Sequence, residues 1–231
     1  MKVDIGVIGA LADEVAGLIS KLGEHNTEIV GGVEFHTGVI SGKRVAIAKC
    51  GVGKVFAAIC AQAMAIKYSP SLIINTGVGG ALAPSLSTGH IVIADRLVQH
   101  DMDTSPLGDP KGLISGINKI YFDADARAVS ILKKAAEELS LIAIVGTVAS
   151  GDKFVASVEE RQRIVSDFSA SACEMEGAAI AHTAFVNGID FCVIRAISDT
   201  ADGEATMDYP TFMPIAAKNS EKLTLALIEQ Y

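Results

Sequence analysis

The chain has 231 residues, half of them hydrophobic, which suffices for a large packed core and suits one α/β domain better than two. Its formal charge is −8 with no basic cluster, which argues against a nucleic-acid contact face. No apolar run reaches the roughly 18 residues of a membrane span, and an acid at Asp4 comes too early for a signal peptide, so a cytoplasmic protein is expected.

Residues 3–10 are apolar and β-branched between glycines, a buried strand. Leu11, Val15, Leu18, Ile19 and Leu22 recur at helical spacing until Gly23. Gly31-Gly32 separates two β-prone runs, a hairpin signal. Val33–Ile40 and residues 44–49 read as further strands. The Cys50-Gly51-Val52-Gly53 turn then leads into an Ala-rich helix over Lys54–Tyr68. Residues 72–75 form a short buried strand that ends in Thr76-Gly77-Val78-Gly79-Gly80, and residues 91–97 form another.

Asp, Pro, Gly and Ser dominate residues 99–118, an ordered loop or lid rather than a linker, because apolar strands resume on both sides. Residues 124–139 are helical and 141–149 a strand ending in Ser150-Gly151-Asp152. Helices follow at 158–165 and 178–186, a strand at 191–197 and a final helix within 210–228. Alternating strands and helices predict a central mixed, largely parallel, twisted sheet flanked by helices. Ligands of such sheets bind beyond the carboxyl ends of the strands.

Several of those ends carry polar groups. Glu14 and Asp13 lie in the first turn of the first helix, where acids also stabilise the helix dipole. Glu174-Met175-Glu176 places two carboxylates between small and apolar residues, and Arg195 stands inside an apolar strand that ends in Ser198-Asp199. A buried Arg needs a partner, so a structural ion pair and a functional role both suit it. Phe154 suits the core or a stacking face for a flat heterocycle.

Other patterns carry less. Gly51-Val52-Gly53-Lys54 lacks the spacing of a phosphate loop, and Gly77-Val78-Gly79-Gly80 lacks that of a dinucleotide fingerprint. His100-Asp101-Met102-Asp103 reads as a polar loop rather than a metal site. Cys50, Cys60, Cys173 and Cys192 have no metal or disulfide spacing and read as buried thiols.

Taken together, Ile5-Gly6-Val7-Ile8-Gly9-Ala10 with Glu14, Gly51-Val52-Gly53-Lys54, Asn75-Thr76-Gly77, Ser150-Gly151-Asp152 with Phe154, Glu174-Met175-Glu176 and Arg195-Ala196-Ile197-Ser198-Asp199 resemble one family in order and spacing. It is the 5′-methylthioadenosine/S-adenosylhomocysteine nucleosidases of the nucleoside phosphorylase superfamily, and the resemblance spans essentially the whole chain. It implies a nucleoside phosphorylase-like fold and hydrolysis of the N-glycosidic bond of 5′-thioadenosines, with no metal or organic cofactor.

By position, the resemblance makes Asp199 the acid that protonates adenine and Glu14 the base that activates water. Glu176 would hold the ribose hydroxyls, Met175 would pack on the sugar, and Arg195 would help place the water and the acids. Phe154 would stack on adenine beside the Val155 backbone. Glu174, Val52, Val78 and Ser198 would complete the substrate pocket. Val78 stands where some members have Ser, which puts a hydroxyl contact near the water in question. The loop containing Met102, Leu107 and Leu113 would cover the 5′ substituent across a homodimer interface.

The chemistry suits these residue types: the ribosyl C–N bond breaks with oxocarbenium character, and a buried carboxylic acid can protonate the departing base while an opposed carboxylate activates water. The rival readings are a futalosine or AMP nucleosidase, a purine nucleoside phosphorylase, and a catalytically silent adenosine-binding module. An AMP site needs a cationic 5′ pocket, and a phosphorylase needs several phosphate donors; the 102–115 loop offers only Lys111, and Arg195 is the one obvious Arg at a strand end.

Overall fold

A computed structural model describes residues 2–201 and 205–231. β1 (Ile5–Gly9) leads into α1 (Ala12–Ser20), and the Gly31-Gly32 turn joins β2 (Asn26–Val30) to β3 (Val33–Ile40) as expected. β4 (Lys43–Lys49) and α2 (Lys54–Tyr68) follow, then β5 (Leu72–Ala81) and β6 (Ile91–Gln99). Beyond them lie β7 (Tyr121–Asp123), α3 (Ala126–Glu138), β8 (Ala143–Ser150) and α4 (Val158–Phe168). The last elements are β9 (Ala172–Glu174), α5 (Gly177–Asn187), β10 (Asp190–Asp199) and α6 (Ala205–Gln230).

Two departures from the sequence reading matter. β5 runs through Thr76-Gly77-Val78-Gly79-Gly80 instead of stopping at Asn75. β10 pairs in parallel along this stretch and supplies the hydrogen-bond partners that override the turn propensity of the glycines. β7 and β9 are additional three-residue strands, too short to show a period. The 99–118 segment is ordered as expected: it holds a 3-10 turn at Ser105–Leu107 and folds back on itself through the Gly112 N–H, which donates to the Met102 carbonyl at 2.7 Å.

The mixed sheet has the order β10-β6-β8-β9-β5-β1-β4-β3-β2, and β10 also pairs with β5. Strands β5, β10, β6, β8 and β9 therefore close into a ring, from which β1, β4, β3 and β2 extend. Side-chain alternation divides the core into layers. Phe191, Val193 and Ile197 of β10 share one layer with Cys60 and Met64 of α2 and Ile180 of α5. Cys192, Ile194 and Ala196 share the other with Leu18 of α1, Leu132 of α3 and Leu223 of α6. Arg195 has the parity of the first layer. All four cysteines are buried and unbridged. Among the described residues, no helix is long and apolar enough to cross a membrane.

Candidate active site

β1, β5 and β10 run parallel, so their carboxyl ends share one rim. β1 delivers the chain to α1, whose first turn carries Glu14. The carboxylate is buried and aimed back at the strand ends. Its Oε2 accepts the N–H groups of Ala10 at 2.7 Å and Leu11 at 2.9 Å, and its Oε1 accepts that of Val78 at 3.0 Å. Glu14 thus fills the dipole-stabilising position that its sequence context allows and still lies on a cavity wall. Val78 serves it through the backbone, a donor that any residue but proline at this position would leave in place.

β9 ends at Glu174, and the chain turns at once into α5 with Glu176 as the residue before the helix. The two acids have opposite tasks. Glu174 Oε2 accepts the N–H groups of Glu176 at 3.0 Å and Gly177 at 2.7 Å, capping α5. It also accepts from the Ser150 hydroxyl and pairs with the Arg195 guanidinium, whose Nε donates to it at 3.1 Å. Burial would raise Glu174, but the charge of Arg195 together with these donors holds its carboxyl below the usual carboxylate range.

Arg195 is 1% exposed and spends its remaining donors on the Asn75 side chain and the Ile194 carbonyl, the latter at 3.1 Å. It reaches only 3.9 Å from Glu176 Oε2. Glu176 Oε1 accepts the Gly53 N–H at 2.8 Å. Burial, reinforced by the neighbouring charge of Glu174 and opposed by Arg195, pushes Glu176 up to about 7.

At the end of β10 a register shift between Ile197 and Asp199 turns the last acid toward the same rim. Asp199 Oδ2 accepts the Ser198 hydroxyl and Oδ1 the Ala201 N–H, both at 2.9 Å. Between these groups lies a cavity of about 520 Å³. Glu14, Val52, Val78, Phe154, Val155, Glu174, Met175, Glu176, Ser198 and Asp199 line it, so ten of the residues singled out in the sequence converge there. Arg195 does not line the cavity; it pairs with Glu174 and sets its charge beside Glu176, both of which do. Met102 and Leu107 do not line the cavity of their own chain; Leu107 projects from the 3-10 turn, 83% exposed.

Sequence reasoning did not assign Leu11, Lys153 and Tyr209 to the site, nor the small residues Ala10, Gly79, Gly80 and Cys173 that also line it. Tyr209, on α6, meets Phe154 edge-to-face with ring centroids 5.7 Å apart, closing an aromatic corner. Its only sequence signal was being one of four tyrosines, next to Pro210. The cavity therefore offers carboxylates at three separate places, with the Ser198 hydroxyl and Lys153, on a largely apolar wall with an aromatic corner. Such a site can hydrogen-bond hydroxyl groups, move protons and stack a flat ring.

Comparison with known proteins identifies the family. Residues 4–229 match the family model of the phosphorylase superfamily. A 5′-methylthioadenosine/S-adenosylhomocysteine nucleosidase of Staphylococcus aureus strain JH9 is 39% identical over 227 residues, 98% of this chain and 99% of the relative. Among solved structures, the nucleosidase of that description from Neisseria meningitidis, in complex with methylthio-immucillin-A, is 31% identical with a TM-score of 0.96 over 99% of each chain. Futalosine hydrolase of Helicobacter pylori strain 26695 is 33% identical with a TM-score of 0.95, covering 99% of this chain and 98% of its own. Matched over nearly its whole length, the chain belongs to the phosphorylase superfamily and, within it, to the 5′-methylthioadenosine/S-adenosylhomocysteine nucleosidases.

Proposed function

We propose that this chain hydrolyses the N-glycosidic bond of 5′-methylthioadenosine and S-adenosylhomocysteine, with 5′-deoxyadenosine as a further candidate, releasing adenine and the corresponding sugar. The observation that carries the reading is the shared cavity: Glu14, Glu176 and Asp199 stand on its wall together with Phe154. In this reading adenine stacks on Phe154 and pairs with the Val155 backbone. Asp199, oriented by the Ser198 hydroxyl, gives its proton to N7. The C1′–N9 bond then breaks with its electron pair leaving on a neutral base.

Glu14, held by three backbone N–H groups, accepts a proton from the water that attacks C1′. Its negative charge also favours the cationic sugar of the transition state. Glu176 accepts the ribose hydroxyls and Met175 packs on the sugar. Glu174 and Arg195 hold the junction that presents them. Val52 and Val78 complete the apolar wall.

A homodimer belongs to the same proposal. The outer face of α2 leaves Val55, Phe56 and Ile59 exposed beside Val52, an apolar patch suited to a second copy. Met102 and Leu107 on the 99–118 loop would then reach the 5′ group held by the partner. The setting would be the cytoplasm, in methionine salvage.

The test is adenine release from the three nucleosides, with and without phosphate, and with futalosine as a further substrate. Phosphate-independent release of adenine supports the reading. A strict requirement for phosphate, or turnover of futalosine alone, defeats it.

A further inference from the structure

Three segments distant in sequence meet just outside the cavity lining: Asp101 after β6, Lys54 at the start of α2, and Asp152 after β8. Asp101 Oδ1 accepts from Lys54 Nζ at 2.6 Å, and Asp101 Oδ2 accepts the Asp152 N–H at 2.9 Å. Asp152 Oδ1 accepts the Lys54 N–H at 2.7 Å, closing a triangle. Lys54 Nζ is further held by Gln99 Oε1 at 3.2 Å. The ion pair is mostly shielded, its side chains 18% and 31% exposed for Lys54 and Asp101.

Two of the corners, Lys54 and Asp152, lead directly to groups at the cavity wall, and Asp101 ties them together. The residue before Lys54 is Gly53, whose N–H is held by Glu176. Asp152 is followed by Lys153, Phe154 and Val155. The packing at Gly53 is tight: a Cβ there would lie 3.1 Å from Asp152 Oδ1, on a backbone with φ of +102°. A shift of Asp101 therefore moves both the Gly53 donor and the Phe154 loop.

We propose that Asp101 is a positioning residue of the nucleosidase site, holding the Gly53 N–H against Glu176 through Lys54 and the Phe154–Val155 loop through Asp152, so that ribose grip and base shelf are set together. The inference rests on the nucleosidase reading and extends it to a residue outside the cavity. It needs a carboxylate at 101. Two oxygens receive two donors, whereas an amide offers one oxygen and turns its own N–H groups on the other donor. Asp101 also stands at the root of the 99–118 loop, so anything that loop binds pulls on both halves of the substrate site.

Glu176 and Phe154 meet groups present in substrate and transition state alike, so loosening them weakens both about equally. Asp101→Asn is expected to raise KM for methylthioadenosine on the order of tenfold, with kcat within about threefold of wild type and an unchanged melting temperature. Asp152→Asn keeps the acceptor for the Lys54 N–H and is expected to match wild type, while Asp152→Ala reproduces the KM rise. If Asp101→Asn fails to fold, Lys54→Gln cuts the same edge from the other side and must show the same KM rise.

A KM for Asp101→Asn within twofold of wild type overturns the clamp. So does a joint fall of kcat and melting temperature at constant KM, which marks loss of folded enzyme rather than loss of positioning. The wild-type control separates the two readings. An active wild type matched by Asp101→Asn removes the clamp alone. A wild type inert on both methylthioadenosine and S-adenosylhomocysteine removes the nucleosidase reading and the clamp with it.

Discussion

The Oε1 of Glu14 and the backbone N–H of Val78 lie 3.0 Å apart, joining the first turn of α1 to the middle of β5 through a carboxylate on the cavity wall. Together with the Ala10 and Leu11 donors, this bond fixes where the carboxylate points. Glu14→Gln presents one oxygen where two are used, and it cannot take a proton from water. Its kcat for adenine release is expected to fall on the order of 10²–10⁴-fold. Val78→Ser keeps the backbone donor and should leave the rate nearly unchanged.

Gly77 and Gly80 on β5 leave room for two of the acids. A Cβ at Gly77 would sit 2.4 Å from Glu14 Oε1 and 3.2 Å from Arg195 Nη1. One at Gly80 would sit 2.9 Å from Asp199 Oδ1 and 3.0 Å from Ala201 Cβ. Since the Glu14 carboxylate is tethered, it cannot swing aside freely. Gly77→Ala and Gly80→Ala are each expected to lower kcat on the order of 10²-fold, as displacement of a reacting group by about 1 Å does. Circular dichroism should show the fold retained.

Arg195 and Glu174 form a buried pair whose members are each other's main compensation. Arg195→Met leaves Glu174 charged in a dry site and should cost about 3–5 kcal/mol, read as a fall in melting temperature of roughly 10 °C. The double variant Arg195→Met with Glu174→Gln removes the stranded charge and should recover part of that loss. A double variant less stable than Arg195→Met alone would contradict this account.

Glu176 predicts a pH-dependent stability. Its ordinary value of 4.5 rises to about 7 in the folded chain, chiefly through burial and the charge of Glu174. Between those values the folded state binds the proton more tightly than the unfolded state. The contribution is therefore complete below pH 4.5 and is lost as pH climbs through 7. Glu176→Gln stays neutral throughout. It should exceed wild type in stability above pH 7, by on the order of 1–3 kcal/mol, and lose that advantage toward pH 5. Thermal melts of both proteins at pH 5 and 8.5 check it.

Legibility of the sequence followed the reach of its signals. The Lys54–Tyr68 helix and the Val33–Ile40 strand were readable to the residue, because a glycine turn precedes each and the apolar spacing sustains it. The run from Thr76 to Gly80 was misread because five residues rich in glycine look like a turn unless one knows that β10 lies alongside. Residue chemistry drew attention to Glu174 and Glu176, yet their division of labour was invisible. It depends on Ser150 and Arg195, which are distant in sequence. The same holds for Tyr209, which α6 brings against Phe154 at the cavity, and for Asp101, which read as one polar residue in a polar loop.

The ring of strands has a mechanical meaning for the acid end of β10. At Ile194, Arg195 and Ala196 this strand is bonded to β6 on one flank and β5 on the other, whereas among the described residues β2 is bonded to β3 alone. Peeling can begin at an outer margin but not in the middle of a hoop. Amides around Arg195 should thus be among the last to exchange in heavy water and those of β2 among the first, leaving the rim intact while the far side of the sheet breathes.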